Sequence, residues 1–159
     1  MKNILQSQKG IGLIEILVGL SIITIAFLSF LVLAQYSLRA QEYSKSKLEA
    51  ISLASEVIEA TQSVRDENWN NIVSLSLETQ YYPVISDNKW TLTTINPGPI
   101  SEIYNRWVIL EKVYRDANDD ISSSGTEDIQ TRKVTTFVEW DDHGNIKQIS
   151  LVTYLTNWQ

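Results

Sequence analysis

The feature that most constrains this chain is an apolar run over residues 11–34 that contains one charged side chain, Glu15. At about 1.5 Å per residue, a helix of this length crosses the roughly 30 Å hydrocarbon core of a bilayer. A carboxylate inside such a helix costs about 2.5 to 3.5 kcal/mol on insertion scales, so these groups usually have a partner. The sequence therefore predicts a membrane helix with one charge that needs a partner.

The segment in front of the run, residues 1–10, is a short polar leader that carries Lys2 and Lys9. These cations favour the cytoplasmic side of the membrane for that end. The apolar run is longer than that of a secretory signal, and it continues into an amphipathic segment. We therefore expect a single-pass protein of the inner (cytoplasmic) membrane, with its N-terminus in the cytoplasm and most of the chain outside.

Residues 35–65 continue the helix with apolar or small residues at steps of three, four and seven, which is typical of one buried helical face. These residues are Tyr36, Ala40, Tyr43, Ala50, Ile51, Ala54, Val57, Ile58, Thr61 and Val64. No proline occurs before Pro83, so one helix of about fifty residues is the simplest interpretation. A coiled-coil dimer is the alternative, but the heptads lack a regular Leu or Ile seam.

Beyond residue 66 the composition changes, and Trp69 and Ile72 are expected to pack under a domain formed by residues 66–159. Five runs rich in β-branched and aromatic residues predict strands at 81–85, 90–95, 104–114, 133–140 and 146–155. The segment DDHGN between the last two predicts a hairpin turn. Strands grouped after a helix indicate an α+β fold, with one antiparallel sheet packed on the second half of the helix.

The N-terminal motif resembles that of the type IV filament proteins, which are the type IV pilins and the pseudopilins of type II secretion. The resemblance lies in Gly10 followed by an apolar residue, in Glu15 five residues after that glycine, and in the long apolar helix that they head. It implies cleavage after Gly10 by a prepilin peptidase, N-methylation of the new terminus at Ile11, and a role for Glu15 in assembly. Ile11, Gly12 and Ile14 depart mildly from the usual motif residues.

Cleavage after Gly10 would place an ammonium group on Ile11, one helical turn from Glu15. A buried cation and anion offset part of each other's desolvation, and breaking such a pair costs about 3 to 5 kcal/mol. The resemblance implies that Glu15 meets the amine of an adjacent subunit. The alternative is that Glu15 lies in the headgroup zone without a partner.

The resemblance also implies partners: prepilin peptidase, other pilin or pseudopilin subunits, an inner-membrane assembly platform and membrane lipid. The final location would be a cell-surface pilus or a secretion pseudopilus. The strand-rich C-terminal end is most similar to minor subunits of such filaments. The sequence leaves open whether the subunit is major or minor and whether the filament is a pilus or a pseudopilus.

The chain has a net charge of -6 and no cysteine. An acidic ectodomain disfavours nucleic acid as a partner, because phosphate neutralisation supplies most nonspecific affinity. A local basic patch remains an alternative to ordinary surface charges, and its residues are Arg106, Lys112, Arg115, Arg132 and Lys133. Without a disulfide, packing or a metal must hold the C-terminal loops together.

The loop after Tyr114 contains oxygen-bearing side chains at offsets of a calcium-binding loop. The candidate ligands are Asp116, Asn118, Asp120 and Glu127. Ile121 stands where glycine normally makes the sharp turn, and the flanks look like strands. Calcium binding and a plain solvated loop both remain open.

We expect no enzymatic activity, because the one histidine, His143, lies in the predicted hairpin turn and no nucleophilic cysteine is present. Asp141 and Asp142 beside it are expected to be too exposed for a perturbed carboxylate pair. The favoured function is a structural filament subunit. A membrane-tethered binding module that does not polymerise is the alternative, and a membrane-anchored enzyme ranks below both.

Overall fold

The structure, a computed structural model, describes the backbone of residues 9–158 and the side chains of residues 12–158. Helix α1 runs from Lys9 to Glu67 without interruption, which confirms the predicted long helix. A four-residue helix, α2, follows at Asn70–Val73. The asparagines at 68, 70 and 71 mark the end of α1, and the amide N–H of Asn70 donates to Asn68 Oδ1 at 2.9 Å.

An antiparallel sheet follows the two helices, in the strand order β2-β1-β3-β5-β6 with β4 paired to β3. The strands are β1 (Gln80–Ser86), β2 (Lys89–Thr93), β3 (Asn105–Arg115), β4 (Ile121–Ser122), β5 (Thr126–Asp142) and β6 (Asn145–Thr156). All five predicted strands are present, and the α+β fold is confirmed. The prediction missed β4 and the first seven residues of β5, because Asp, Ser and Gly in residues 116–128 resemble an unpaired loop.

The chain divides into two compact units, an N-terminal unit of residues 1–44 and a C-terminal unit of residues 45–159. In the described part of the N-terminal unit, every residue from 12 to 44 except Gly19 and Ala34 is exposed. The boundary predicted between residues 34 and 35 concerns the membrane surface, so this division does not test it.

The C-terminal unit is held together by a face of α1 that packs on the sheet. The buried residues of this face are Ala50, Ala54, Val57, Ala60, Thr61 and Val64. Five of the six lie on the predicted face, whereas Ile51 is 37% exposed. Alternate residues of β5 point at the helix, and Val134, Thr136, Val138 and Trp140 are buried as their alternation predicts.

Tyr104 joins the first turns of this helical segment to the sheet. Its hydroxyl lies 3.3 Å from both the Ser46 carbonyl oxygen and Glu49 Oε2. Its ring lies 6.3 Å from that of Trp140. Burial is the main cause of the raised pKa of the Tyr104 hydroxyl. The residue was predicted as part of a strand, and its role as a contact between helix and sheet emerges only from the fold.

The predicted hairpin is confirmed as the β5–β6 connection. The strands stay in register up to the pair Asp142 and Asn145, which leaves His143 and Gly144 as a two-residue loop. Both loop residues have positive φ, 55° and 82°, as a type I′ turn requires. Trp69 and Ile72 are buried in the core of the same unit, also as predicted.

Candidate functional site

Glu15 is exposed in the structure and lies among exposed apolar side chains. It is the one charged residue between Gly12 and Leu38. Within residues 12–158, whose side chains the structure describes, its carboxylate has neither an ion pair nor a hydrogen bond. The carboxylate therefore needs a partner, or water, from outside the described part of the chain.

The predicted cleavage and methylation positions, Gly10 and Ile11, lie within helix α1, but their side chains fall outside the described residues. Cleavage and methylation at these positions therefore stay predictions. The same holds for an ion pair between Glu15 and an amine on Ile11.

The apolar part of α1 is suited to a membrane in a second respect, since its hydroxyl groups are already hydrogen-bonded. Ser21, Thr24 and Ser29 each donate to the backbone carbonyl four residues earlier, at 2.7 to 2.8 Å. A polar group that meets its own backbone does not need water, so these residues can lie in hydrocarbon at little cost.

The large apolar side chains of this segment are not covered by any other part of the chain that the structure describes. Leu13, Ile16, Phe30 and Val32 are 63%, 72%, 64% and 67% exposed. Soluble monomers rarely expose contiguous apolar patches of this kind, and such patches mark membrane or protein contacts. Among the described residues, α1 is the one helix long and apolar enough to cross a membrane, and none of its most apolar window is buried. The helix is thus a candidate membrane span.

The loop predicted as a calcium site is closed by protein groups. Arg115 Nε donates to Asp128 Oδ2 at 2.8 Å, and its Nη1 donates to the Asp119 carbonyl oxygen at 2.7 Å. Asp116 Oδ1 accepts the backbone N–H groups of Asn118 and Asp120. The guanidinium of Arg115 thus supplies positive charge at the place where a bound cation was expected.

The fourth predicted ligand, Glu127, is also engaged elsewhere. Its Oε2 accepts from Lys112 Nζ at 2.8 Å, and this contact raises the pKa of the lysine. In the part of the chain that the structure describes, no three His, Asp or Glu side chains stand close enough to hold a metal. The calcium site stays a prediction, and the geometry around Asp116, Asn118, Asp120 and Glu127 does not favour it.

Asp128 is the acidic residue of this region that the sequence interpretation missed. The hydrogen bond from Arg115, followed by one from Thr131 Oγ1 at 2.7 Å, lowers the pKa of its carboxyl group. The sequence signal for this ion pair was Arg115 at the start of an acidic loop. The sequence analysis placed Arg115 in a candidate basic patch instead. The ion pair between Arg115 and Asp128 therefore holds the loop in the way that a metal was expected to hold it.

The remaining cations do not gather into a patch, because carboxylates lie beside them. Arg106 Nη1 is 2.8 Å from Glu56 Oε2, and Lys133 Nζ is 3.0 Å from Glu111 Oε2. Arg132 is buried at 6% exposure, and its Nη1 donates to the Thr131 carbonyl oxygen. The geometry at these positions agrees with ordinary structural charges, and the absence of a nucleic acid partner stays a prediction.

The hairpin turn has no catalytic arrangement among the described residues. His143 is exposed, and its Nδ1 lies 3.1 Å from Asp142 Oδ1. Asp141 Oδ1 accepts the Gly144 N–H at 2.6 Å, which is a turn-forming bond.

Comparison of the chain with family models, with curated proteins and with solved structures gives no match in any of the three.

Proposed function

We propose that this protein is a minor structural subunit of a type IV pilus or a type II secretion pseudopilus. In this proposal, prepilin peptidase cleaves the chain after Gly10, and the mature protein assembles through its N-terminal helix. The observation that carries the proposal is helix α1 itself, which is uncovered and apolar over residues 12–34 and carries Glu15 near its start. The same helix supplies the buried face of a β-rich unit at residues 45–67.

An uncovered helix with one carboxylate suits polymerisation better than simple anchoring. A simple anchor gains nothing from a charge that costs about 2.5 to 3.5 kcal/mol in the membrane. A subunit whose neighbours each carry a new N-terminal amine can use that carboxylate to define the packing position. The partners in this proposal are prepilin peptidase, other filament subunits, an inner-membrane assembly platform and lipid.

The first test is the N-terminus of the protein in cells that carry a prepilin peptidase. Mass spectrometry should find a chain that begins at Ile11 with a methylated amine. Gly10→Val should abolish the cleavage, whereas Gly19→Val should leave it intact, because nothing lies within 4 Å of a Cβ at Gly19. A mature protein that retains Met1 in these cells would refute the proposal.

The second test separates assembly from anchoring. Glu15→Ala should leave the protein cleaved and in the membrane but lower its recovery in sheared filaments or in crosslinked subunit ladders. Ser21→Ala is a control in the same helix, since that hydroxyl already bonds to Leu17. If Glu15→Ala assembles like the control, the membrane-tethered binding module becomes the better account.

A further inference from the structure

A polar cleft with a volume of about 400 Å³ lies on the C-terminal unit and is lined by residues of β3, β4, β5 and β6. Its floor includes Glu111, Lys133 and Tyr154, which lie opposite one another on three neighbouring strands. This row stands on the sheet face opposite to Val134, which is buried against the helix. The row of Glu111, Lys133 and Tyr154 therefore lies on the sheet face opposite to the one that packs on residues 45–67 of α1.

The cleft lies beside an irregularity in the pairing of β3 and β5. The register shifts between Lys112 and Tyr114, where the one residue Val113 of β3, buried at 2% exposure, stands opposite residues 128–131 of β5, so the extra residues are on β5. Beyond this bulge the strand pairs with β4, which brings Ser122 opposite Tyr114. Bulges of this kind bend a strand and redirect its side chains, and they are common beside binding sites.

The charged groups at the cleft are balanced in pairs. Lys133 lies 3.0 Å from Glu111, and Thr135 Oγ1 also donates to Glu111 Oε2 at 3.0 Å. Lys112 is paired with Glu127 at 2.8 Å. Each lysine is paired with a carboxylate, Glu111 in the lining and Glu127 beside it, so these four groups together carry no net charge. This balance disfavours an anion as the ligand.

Four residues with hydroxyl groups line the cleft. Within the described residues, no hydrogen bond engages the side chains of Ser122, Ser123, Tyr114 or Tyr154. Tyr154 is 43% exposed, so its ring offers a flat apolar surface beside these polar groups. An exposed aromatic ring, free hydroxyls and charge pairs of zero net charge match a ligand with apolar C–H faces and many hydroxyls.

We propose that this cleft binds a neutral saccharide unit, with Tyr154 against a sugar face and with the Lys133–Glu111 pair and Ser122 as hydrogen-bond partners of its hydroxyls. The proposal does not depend on filament assembly, because every residue that it uses lies in the C-terminal unit. It assigns this unit a binding role beyond that of a structural subunit.

The test uses the full chain in phosphatidylcholine nanodiscs, which avoids sugar-based detergents. Saturation-transfer NMR and calorimetry would be run with maltotetraose, cellotetraose, chitotetraose and mannotetraose as probes. At least one probe should bind saturably. Tyr154→Ala should weaken that binding about tenfold, whereas Tyr154→Phe should retain most of it because the ring remains.

Tyr82→Ala is the matched control, since Tyr82 is a half-buried tyrosine of β1 whose hydroxyl donates to Gln80 outside the cleft. It should leave saccharide affinity within about twofold. Ser122→Ala is a second variant with little effect on packing, and it should weaken binding severalfold. The proposal fails if no probe binds saturably, if Tyr82→Ala and Tyr154→Ala have equal effects, or if inorganic phosphate or sialyllactose binds more tightly than the neutral probes.

Discussion

Two stretches of helix α1 differ in whether their apolar side chains are exposed or buried. Over residues 12–34 the helix consists almost entirely of large apolar residues, and nearly all are exposed. Over residues 45–67 the buried face is built mainly from small residues, and Ala50, Ala54 and Ala60 are completely inaccessible to solvent. Of these two stretches, the more apolar one is therefore the more exposed one.

Hydrophobicity alone therefore does not locate the core of this chain. Small residues at 50, 54 and 60 allow the helix to approach the sheet closely, and the sheet supplies the larger side chains. Leu and Ile at 13–33 have no such surface among the described residues, so their burial would need lipid or another protein surface. Substitutions placed in the two stretches should separate folding from membrane insertion.

The largest effect on folding is expected for Ala54→Asp, which places an uncompensated carboxylate in a fully buried position. The free energy of unfolding should fall by about 3 to 5 kcal/mol. Urea unfolding followed by the fluorescence of the buried Trp69 and Trp140 would measure it. The control, Ser52→Asp at an exposed position of the same helix, should change it by no more than about 0.5 kcal/mol. Equal values for the two variants would contradict the assigned helix face.

The counterpart in the first stretch is Ala26→Asp, at an exposed position of the candidate span. The free energy of membrane insertion should become less favourable by about 2.5 to 3.5 kcal/mol, as read from a glycosylation-mapping assay. The unfolding of the C-terminal unit should not change. Ala26→Leu serves as the control and should insert at least as well as the natural chain. Full insertion of Ala26→Asp would argue against a membrane span here.

A smaller effect is expected for Gly125→Ala, which tests how tightly the acidic loop is closed. A Cβ at Gly125 would lie 2.1 Å from the Arg115 carbonyl oxygen, and φ there is +141°. The free energy of unfolding should fall by about 1 to 3 kcal/mol. Gly144→Ala, also at positive φ but with no atom within 4 Å, should cost less in the same denaturation experiment. A larger loss for Gly144→Ala than for Gly125→Ala would contradict the close approach of Gly125 to the Arg115 carbonyl oxygen.

The smallest effect is the acid dependence that comes from Asp128. Because hydrogen bonds lower its pKa in the folded state, its contribution to stability is present above the unfolded pKa of about 3.9. This contribution is lost as the pH falls through the lower folded pKa, where the carboxylate becomes protonated. Asp128→Asn should flatten the loss of stability as the pH falls below about 4. Asp87→Asn, at an exposed turn position, should leave the acid profile unchanged.

The same distinction explains how much of the fold could be predicted. Periodicities of 3.6 and 2 identified α1 and the five main strands, because each has one face in the core. The alternation of Val134, Thr136, Val138 and Trp140 is an example, since all four are buried. The strand residues 121–122 and 126–132 were not predicted, because their structure depends on contacts with residues distant in sequence. These contacts are the pairing with β3 and the hydrogen bond from Arg115 to Asp128.

The candidate sites show a similar limit. The spacing of Asp116, Asn118 and Asp120 predicted that their side-chain oxygen atoms lie in one loop. It could not reveal that Asp116 Oδ1 already accepts hydrogen bonds from two backbone N–H groups. The cleft at Tyr154 was not predicted at all, because its residues come from four strands and one bulge. Glu15, in contrast, was evident from local sequence, since a lone charge in an apolar run needs no tertiary information.

The hydroxyl groups of Ser21, Thr24 and Ser29 also affect the stiffness of the candidate span. Each hydroxyl donates to a backbone carbonyl that also accepts the amide N–H of the same residue in the helix. Sharing a carbonyl in this way weakens the backbone hydrogen bond and favours bending of the helix. Three shared carbonyls within the apolar segment make this part of the helix easier to bend. A compliant helix can adjust its curvature to bilayers of different thickness while its backbone stays hydrogen-bonded.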